Sequence, residues 1–247
     1  MDSVQVTFLG SGDAFSSGGR LHTCILVKSE RRQILVDCGA SALVSLKKYH
    51  VNPNDIDMIF ITHLHGDHFG GIPFFILDAQ LINKRTGPLL IAGPPGTKSR
   101  IVEAMEVMFR GSTVIKQKFD LEIIEFNLTK TNEIDDVTVT AFEVNHPSGD
   151  PSLALRIEHM DKIITYTGDT DWTDSLITAS KKADLLIAEC YSYDKKIKYH
   201  LDYHTLSSHI HEMNPKKVIL THMSEEMLRR VDEIDCDYAE DGKSIYI

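Results

Sequence analysis

Apolar and polar positions alternate at Val4, Val6 and Phe8, a period of two that predicts a strand. Residues 24–27 and 34–36 repeat the signal on either side of the charged turn Ser29-Glu30-Arg31-Arg32. Short β-branched or alternating runs predict further strands at 58–61, 89–92, 121–126, 137–143, 185–188 and 218–220. Residues 153–157 and 163–166 read as a hairpin turning at Met160-Asp161, and 244–247 as an edge strand. Helical spacing predicts helices over 42–49, 70–82, 205–213 and 225–234, and one running to Phe109 from a cap at Thr97 or Ser99. Asn52-Pro53-Asn54 and Asn214-Pro215 stop the helices at 42–49 and 205–213, and Asn83 with Lys84-Arg85 closes the one at 70–82. Gly10-Ser11-Gly12-Asp13 and Ser16-Ser17-Gly18-Gly19 form a loop that either lines a polar pocket or is an ordinary turn.

No low-complexity stretch or linker divides the chain, so 1–247 reads as a single domain. Strands and helices mixed throughout argue for two sheets inside and helices outside. A faint internal echo points the same way. Asn52-Pro53 precedes a strand ending Thr62-His63, and Asn214-Pro215 precedes one ending Thr221-His222, as in a duplicated sheet-and-helix unit facing itself across a core.

Composition narrows the function classes. The chain has 247 residues, 42% hydrophobic and 25% charged, ordinary values for a globular protein able to bury a large core. No apolar run approaches the roughly 18 residues of a membrane span. The acidic start Met1-Asp2-Ser3-Val4 leads directly into a strand and does not read as a signal peptide. Cys24, Cys38, Cys190 and Cys236 are scattered without a CxxC pair, as expected of reduced thiols in a cytoplasmic protein. A net charge of -10 argues against a broad nucleic-acid-binding face, and bound divalent cations would offset part of it locally.

The candidate chemistry sits at strand ends. Thr62-His63-Leu64-His65-Gly66-Asp67-His68 follows the run 58–61 directly, and Gly66 lets the backbone turn there. Imidazole and carboxylate are ligands for zinc and its first-row neighbours. Four donors in one tight loop crowd a single tetrahedral ion, so His63 and His65 on one metal and Asp67 and His68 on a second is the easier arrangement. A solvated His-rich turn or a single structural zinc is the plainer alternative. A lone His after a strand is most often a polar surface residue, but His146, Asp169 and His222 repeat the placement at three more strand ends, and strand ends on one sheet edge converge. The expected set is His63, His65 and His146 on the first metal and Asp67, His68 and His222 on the second, with Asp169 bridging. Two ions about 3.5–4 Å apart make hydroxide available near neutral pH and offset charge on a phosphoryl or carbonyl oxygen. Asp67 is placed to orient the water. The His-rich shell favours two Zn2+, with Mn2+ or Fe also compatible.

His-x-His-x-Asp-His at 63–68, followed by His146, Asp169 in Tyr-Thr-Gly-Asp-Thr and His222 in Leu-Thr-His, resembles the metallo-β-lactamase superfamily across nearly the whole chain. Phe8-Leu9-Gly10-Ser11-Gly12, Val36-Asp37-Cys38-Gly39 and Gly93-Pro94-Pro95-Gly96 resemble its ribonuclease Z-like phosphodiesterase branch. The resemblance implies an α/β fold, a four-layer αββα sandwich, with a dinuclear zinc centre, phosphodiester hydrolysis and a homodimer. It also implies a histidine that assists the departing oxygen, oriented by a glutamate. His200 and Glu189 match best, with His204 the competitor, because a helix beginning near Thr205 puts His204 at its cap. The tRNA-clamping arm of short ribonuclease Z enzymes lies between the third and fourth metal motifs, where this chain has only residues 147–167. The expected substrate is therefore a small phosphodiester, such as a cyclic nucleotide, or a short nucleic acid, with no membrane partner. The other readings are a hydrolase of a carbonyl substrate (thioester, lactone or β-lactam) and a non-catalytic metal-dependent sensor. His22 is a lesser candidate for substrate contact. Trp172 either walls the pocket or packs, His50, His159, His209 and His211 read as surface residues, and Cys38 as a small buried hydrophobe.

Overall fold

A strand flanked by packing on both faces must be apolar at every position, which is why 58–61 reads as an unbroken run. In the computed structural model, which describes residues 3–149 and 151–247, that run lies mid-sheet, with Met58 and Phe60 facing one core and Ile59 another. Met1 and Asp2, part of the N-terminal reading above, lie outside the described residues. In chain order the strands are β1 (Gln5–Gly10), β2 (Cys24–Lys28), β3 (Gln33–Val36), β4 (Met58–Phe60), β5 (Leu89–Gly93) and β6 (Leu121–Glu125), which build the first sheet. The second sheet holds β7 (Asn132–Ile134), β8 (Val137–Val144), β9 (Ser152–His159), β10 (Lys162–Tyr166), β11 (Leu185–Glu189), β12 (Val218–Thr221) and β13 (Asp237–Tyr238). The last strand, β14 (Ser244–Tyr246), returns to the first sheet as the edge beside β1.

The sheets bury one core between them, including Phe8, Val36, Phe60, Leu155, Tyr166 and Ile187. The helices are α1 (Ala42–Lys48), α2 (Gly66–Phe69), α3 (Ile72–Leu81), α4 (Thr97–Met108), α5 (Ser175–Ser180), α6 (Tyr203–Met213) and α7 (Glu225–Leu228). Leu46, Phe75 and Ile101 of α1, α3 and α4 close over the outer face of the first sheet, and Leu176, Leu206 and Met227 of α5, α6 and α7 over that of the second. The result is the expected four-layer αββα sandwich.

Both sheets follow one pattern, three antiparallel pairings and then three parallel ones. The duplicated unit is therefore present in the topology, but offset from the sequence echo. The echo equates β4 with β12, whereas sheet position equates β4 with β11. In the second sheet β8, β10, β11 and β12 run the same way, so their C-terminal ends share an edge.

Several local expectations are corrected. The helix expected over 70–82 is α3, trimmed at its start because the Gly71 N–H bonds to Cys38 O (2.8 Å) and a Cβ there would meet the same oxygen; the short α2 that precedes Gly70-Gly71 was not anticipated. Neither Thr97 nor Ser99 caps α4. Gly96 (φ 97°) is the N-cap, and the Thr97 hydroxyl donates to Pro94 O instead. The helix expected over 205–213 begins at Tyr203, not Thr205, because the Asp202 carboxylate accepts the Thr205 N–H and caps it. The stretch 225–234 divides into α7 and a separate turn at Val231–Glu233. Strands β7 and β13 and helix α5 were not anticipated, being too short for a period to register. His159 is buried rather than at the surface, its ring nitrogens meeting Ser29 Oγ (2.8 Å) and Asp136 O (3.2 Å).

Candidate metal centre

The chain leaves β4 through Thr62, and Gly66 opens α2, so Asp67 and His68 fall in that helix's first turn. His146 follows β8, Asp169 follows β10 and His222 follows β12. Gly168 (φ 59°) makes the turn before Asp169, where a Cβ would meet Leu153 O at 2.6 Å. All seven sequence-predicted donors converge in two adjoining sets. His63, His65 and His146 form one, and Asp67, His68, Asp169 and His222 the other.

The spacing of the second set is informative. His68 Nε2 lies 3.2 Å from Asp67 Oδ2, 3.3 Å from Asp169 Oδ1 and 3.3 Å from His222 Nε2. His222 Nε2 lies 3.2 Å from Asp67 Oδ2 and 3.3 Å from Asp169 Oδ2. Tetrahedral zinc with bonds of ~2.0–2.1 Å has donor–donor edges of about 3.3 Å. In the first set His146 Nε2 and His65 Nδ1 are 3.0 Å apart, while His63 Nε2 is buried without a hydrogen-bond partner. Asp169 Oδ2 reaches toward this set as well, 3.9 Å from His63 Nε2 and 4.0 Å from His146 Nε2. Buried His63 Nε2 and Asp169 Oδ1 lack hydrogen-bond partners, and nitrogens and oxygens facing one another at these distances fit bound divalent cations.

Asp37, which carries no role in the sequence reading, decides how the imidazoles present their lone pairs. Its Oδ1 accepts the Thr62 N–H (2.8 Å), and its Oδ2 accepts both the Thr62 hydroxyl (2.8 Å) and the His68 Nδ1–H (2.6 Å). The Thr62 oxygen in turn accepts from His63 Nδ1 (3.1 Å). One buried carboxylate thus turns a nitrogen lone pair of His63 into one donor set and of His68 into the other. On the far side, His146 Nδ1 donates to Tyr199 O (3.1 Å), which frees its Nε2. Asp37 and His222 hold left-handed backbone angles (φ 60° and 57°), as does Tyr199 (φ 71°), so three strained residues converge here. Asp37→Asn is expected to weaken metal retention by about 10–100-fold, measured by competition with a chromogenic chelator. Unchanged affinity would remove Asp37 from this role.

The electrostatics agree with the geometry. Burial, then neighbouring His68, holds His63 well below its ordinary pKa, and burial lowers His146, so both are neutral, ligand-competent imidazoles. Burial works against ionisation of Asp67 and Asp169, yet the imidazoles of His68 and His222 keep both carboxyls well below the usual range. Burial likewise opposes a charged His68, but Asp169, Asp67 and Asp37 outweigh it and hold its pKa well above normal. Such a cluster draws in positive charge.

A cavity of 210 Å³ opens on the donors, lined by Ala14, Phe15, Tyr191 and His200 together with His65, Asp67, His146, Asp169 and His222. His200 Nδ1 lies 3.0 Å from Glu189 Oε2, and Glu189 Oε1 accepts the Thr170 N–H. Burial, then the charge of Asp169, raises the Glu189 carboxyl well above its usual range, and burial lowers His200. The Tyr191 ring stacks on His200 at 4.7 Å. His204 is on the exposed face of α6 against Tyr193, away from the cavity. His22 does not line it either, and its Nε2 meets Ser16 Oγ at 3.4 Å. Trp172 packs rather than walls the pocket, stacking on His209 at 3.9 Å, so His209 is not merely solvated. Cys38 is buried in the apolar cluster beneath α3. Tyr191 and Phe15 escaped the sequence reading, which had no signal for either beyond an aromatic ring in a loop. Among the described residues no helix is long and apolar enough to cross a membrane.

Comparison with known proteins gives a consistent picture. A family model described as anti-Pycsar protein Apyc1 matches residues 4–244. A ribonuclease Z from Bacillus licheniformis is 27% identical, with 93% of each chain covered. Among solved structures, the metallo-β-lactamase fold protein YhfI from Bacillus subtilis superposes with a TM-score of 0.83 at 22% identity over 100% of both chains. The short form of human tRNase Z, ELAC1, superposes with a TM-score of 0.79 at 26% identity over 98% of both.

Proposed function

The chain belongs to the family described as anti-Pycsar protein Apyc1, and we propose that this metal-dependent hydrolase is a dinuclear zinc phosphodiesterase acting on a small phosphodiester, such as a cyclic nucleotide, or on an RNA end. The observation that carries the reading is the pair of adjoining donor sets with Asp169 between them. In this assignment His63, His65 and His146 would hold one zinc and Asp67, His68 and His222 the other, with Asp169 shared between them. Bound there, the ions would supply a nucleophile at neutral pH and offset charge growing on the phosphoryl oxygens.

The chain's own groups do the rest. Asp67 directs Oδ2 at the second donor set, leaving Oδ1 to accept a hydrogen bond from the attacking water and aim it. His200 has Nδ1 engaged by Glu189, so Nε2 is the atom left to donate a proton to the departing oxygen. Substrate size follows from what surrounds the site. Between His146 and Asp169 the chain forms β9 and β10, strands of the second sheet, where a tRNA-clamping arm would have to emerge. The net charge of -10 also disfavours long nucleic acids, and a 210 Å³ cavity suits a small ester or the end of a short strand.

Within the same reading, 1–247 is one domain, the protein is cytoplasmic and it works as a homodimer. The free thiols support the second of these, and the exposed apolar side chains Phe74, Val102 and Met108 on α3 and α4 the third. The test is elemental analysis followed by a substrate panel. About two zinc per chain are expected, with hydrolysis of cyclic nucleotides and bis(p-nitrophenyl) phosphate. Turnover of a thioester or lactone with none of any phosphodiester would replace this assignment by a carbonyl hydrolase, and a single bound ion would end the dinuclear one.

A further inference from the structure

Phe15 is 82% exposed, yet it sits on the wall of the cavity that opens on the metal donors. Its place on that wall, more than its exposure, sets it apart from the other exposed apolar side chains, such as Val107 and Val114. The loop that presents it is firmly held. At its root Ser11 O accepts the N–H of His222 (3.2 Å), which fixes the loop directly beside the second donor set. The buried Asp13 carboxylate accepts the Phe15 N–H (3.3 Å), the Ser17 N–H (2.8 Å) and the Ser17 hydroxyl (2.7 Å). Beyond the tip, the Gly18 N–H bonds to Glu225 Oε1 (2.6 Å) and the Leu21 N–H to Asp241 Oδ2 (2.8 Å). The ring is thus carried by a turn anchored on both sides, and holding a planar partner against it requires little further ordering of the backbone.

Other features of the molecule are less informative. A wider hollow of 320 Å³ between the first sheet and the end of α1, lined by Lys28, Tyr49 and His50, holds no comparable donor set among the described residues. Lys195 and Lys198 are exposed on the loop before His200, but nothing on that loop defines a binding geometry.

Resting on the phosphodiesterase reading above, we propose that Phe15 is a substrate-selecting residue. Its ring stacks on the planar heterocycle of a nucleoside phosphodiester whose phosphoryl group lies at the donor sets. The phosphoryl group and the organic arm it carries must share one cavity, whose walls are the donors, the Tyr191–His200 stack and Phe15. Every nucleobase has a π face, and stacking on an aromatic side chain contributes binding without hydrogen-bond readout. An alkyl arm offers no such face.

The experiment compares two esters with one leaving group, thymidine 5′-(p-nitrophenyl) phosphate and methyl p-nitrophenyl phosphate, on the intact protein. The wild type favours the nucleoside ester. Phe15→Ala lowers the ratio of the two kcat/KM values about ten-fold, through a higher KM for the nucleoside ester, and Phe15→Trp retains the ratio. An unchanged ratio in Phe15→Ala overturns the proposal, as does a change in oligomeric mass by light scattering, which would assign the ring to a subunit contact. A wild type inactive on both esters rejects the phosphodiesterase reading, and this assignment with it.

Discussion

Replacing Asp169 by alanine is expected to lower phosphodiester turnover by on the order of 10³-fold or more and to release much of the bound metal. The Asp169 carboxylate faces both donor sets. Its Oδ1 is 3.3 Å from His68 Nε2, and its Oδ2 is 3.3 Å from His222, 3.9 Å from His63 and 4.0 Å from His146. The carboxyl is buried and held ionised against desolvation by His222 and His68. Alanine removes the carboxylate that faces both sets and with it one of the negative charges that make the cluster attractive to cations. Asp169→Asn keeps the volume and loses the charge, so it separates packing from coordination. Steady-state rates, elemental analysis and thermal unfolding on both variants provide the check. If Asp169→Asn keeps two ions per chain and a rate within about ten-fold of wild type, the carboxylate does not bridge.

His200→Ala is expected to slow hydrolysis of cyclic nucleotides by about 10²–10⁴-fold, while p-nitrophenyl esters suffer far less. The difference comes from the leaving group. A departing ribose alkoxide is strongly basic and needs a proton in the transition state, whereas p-nitrophenolate departs without one. His200 lines the cavity with Nδ1 engaged by the Glu189 carboxyl, 3.0 Å away. Glu189→Gln leaves a hydrogen-bond partner for Nδ1 but weakens its hold, and a smaller loss with the same leaving-group dependence is expected. His200 also lies within ligand range of His146 and Asp169 on one side and of Glu189 and His222 on the other. Metal content therefore distinguishes the roles. Two retained ions and a leaving-group-dependent defect identify a proton donor, whereas loss of an ion, or equal defects on both substrate classes, removes that role.

Much of this protein was legible along the chain. Period-two alternation at Val4, Val6 and Phe8, and the unbroken run ending in β4, follow from which faces a strand buries, a property each segment carries by itself. Imidazoles and carboxylates placed directly after four apolar runs marked strand ends, of which those of β8, β10 and β12 share one edge of the second sheet while that of β4 comes from the first. What waited for the tertiary structure was direction and partnership. Asp37 looks like any strand-end aspartate until its carboxylate is seen holding Thr62 and His68 from 25 and 31 residues away. His200 and His204 differ by one turn's worth of chain, and only the start of α6 at Tyr203 turns one into the cavity and the other outward. The Asn-Pro echo matched β4 to β12, but strand pairing matched it to β11, because hydrogen-bonded neighbours and not sequence spacing set a strand's place in a sheet. Local pattern determines which residues lie on a face or at an end. Which of them meet is decided by the packing of whole layers, where contacts between distant segments outweigh the preferences of any one stretch.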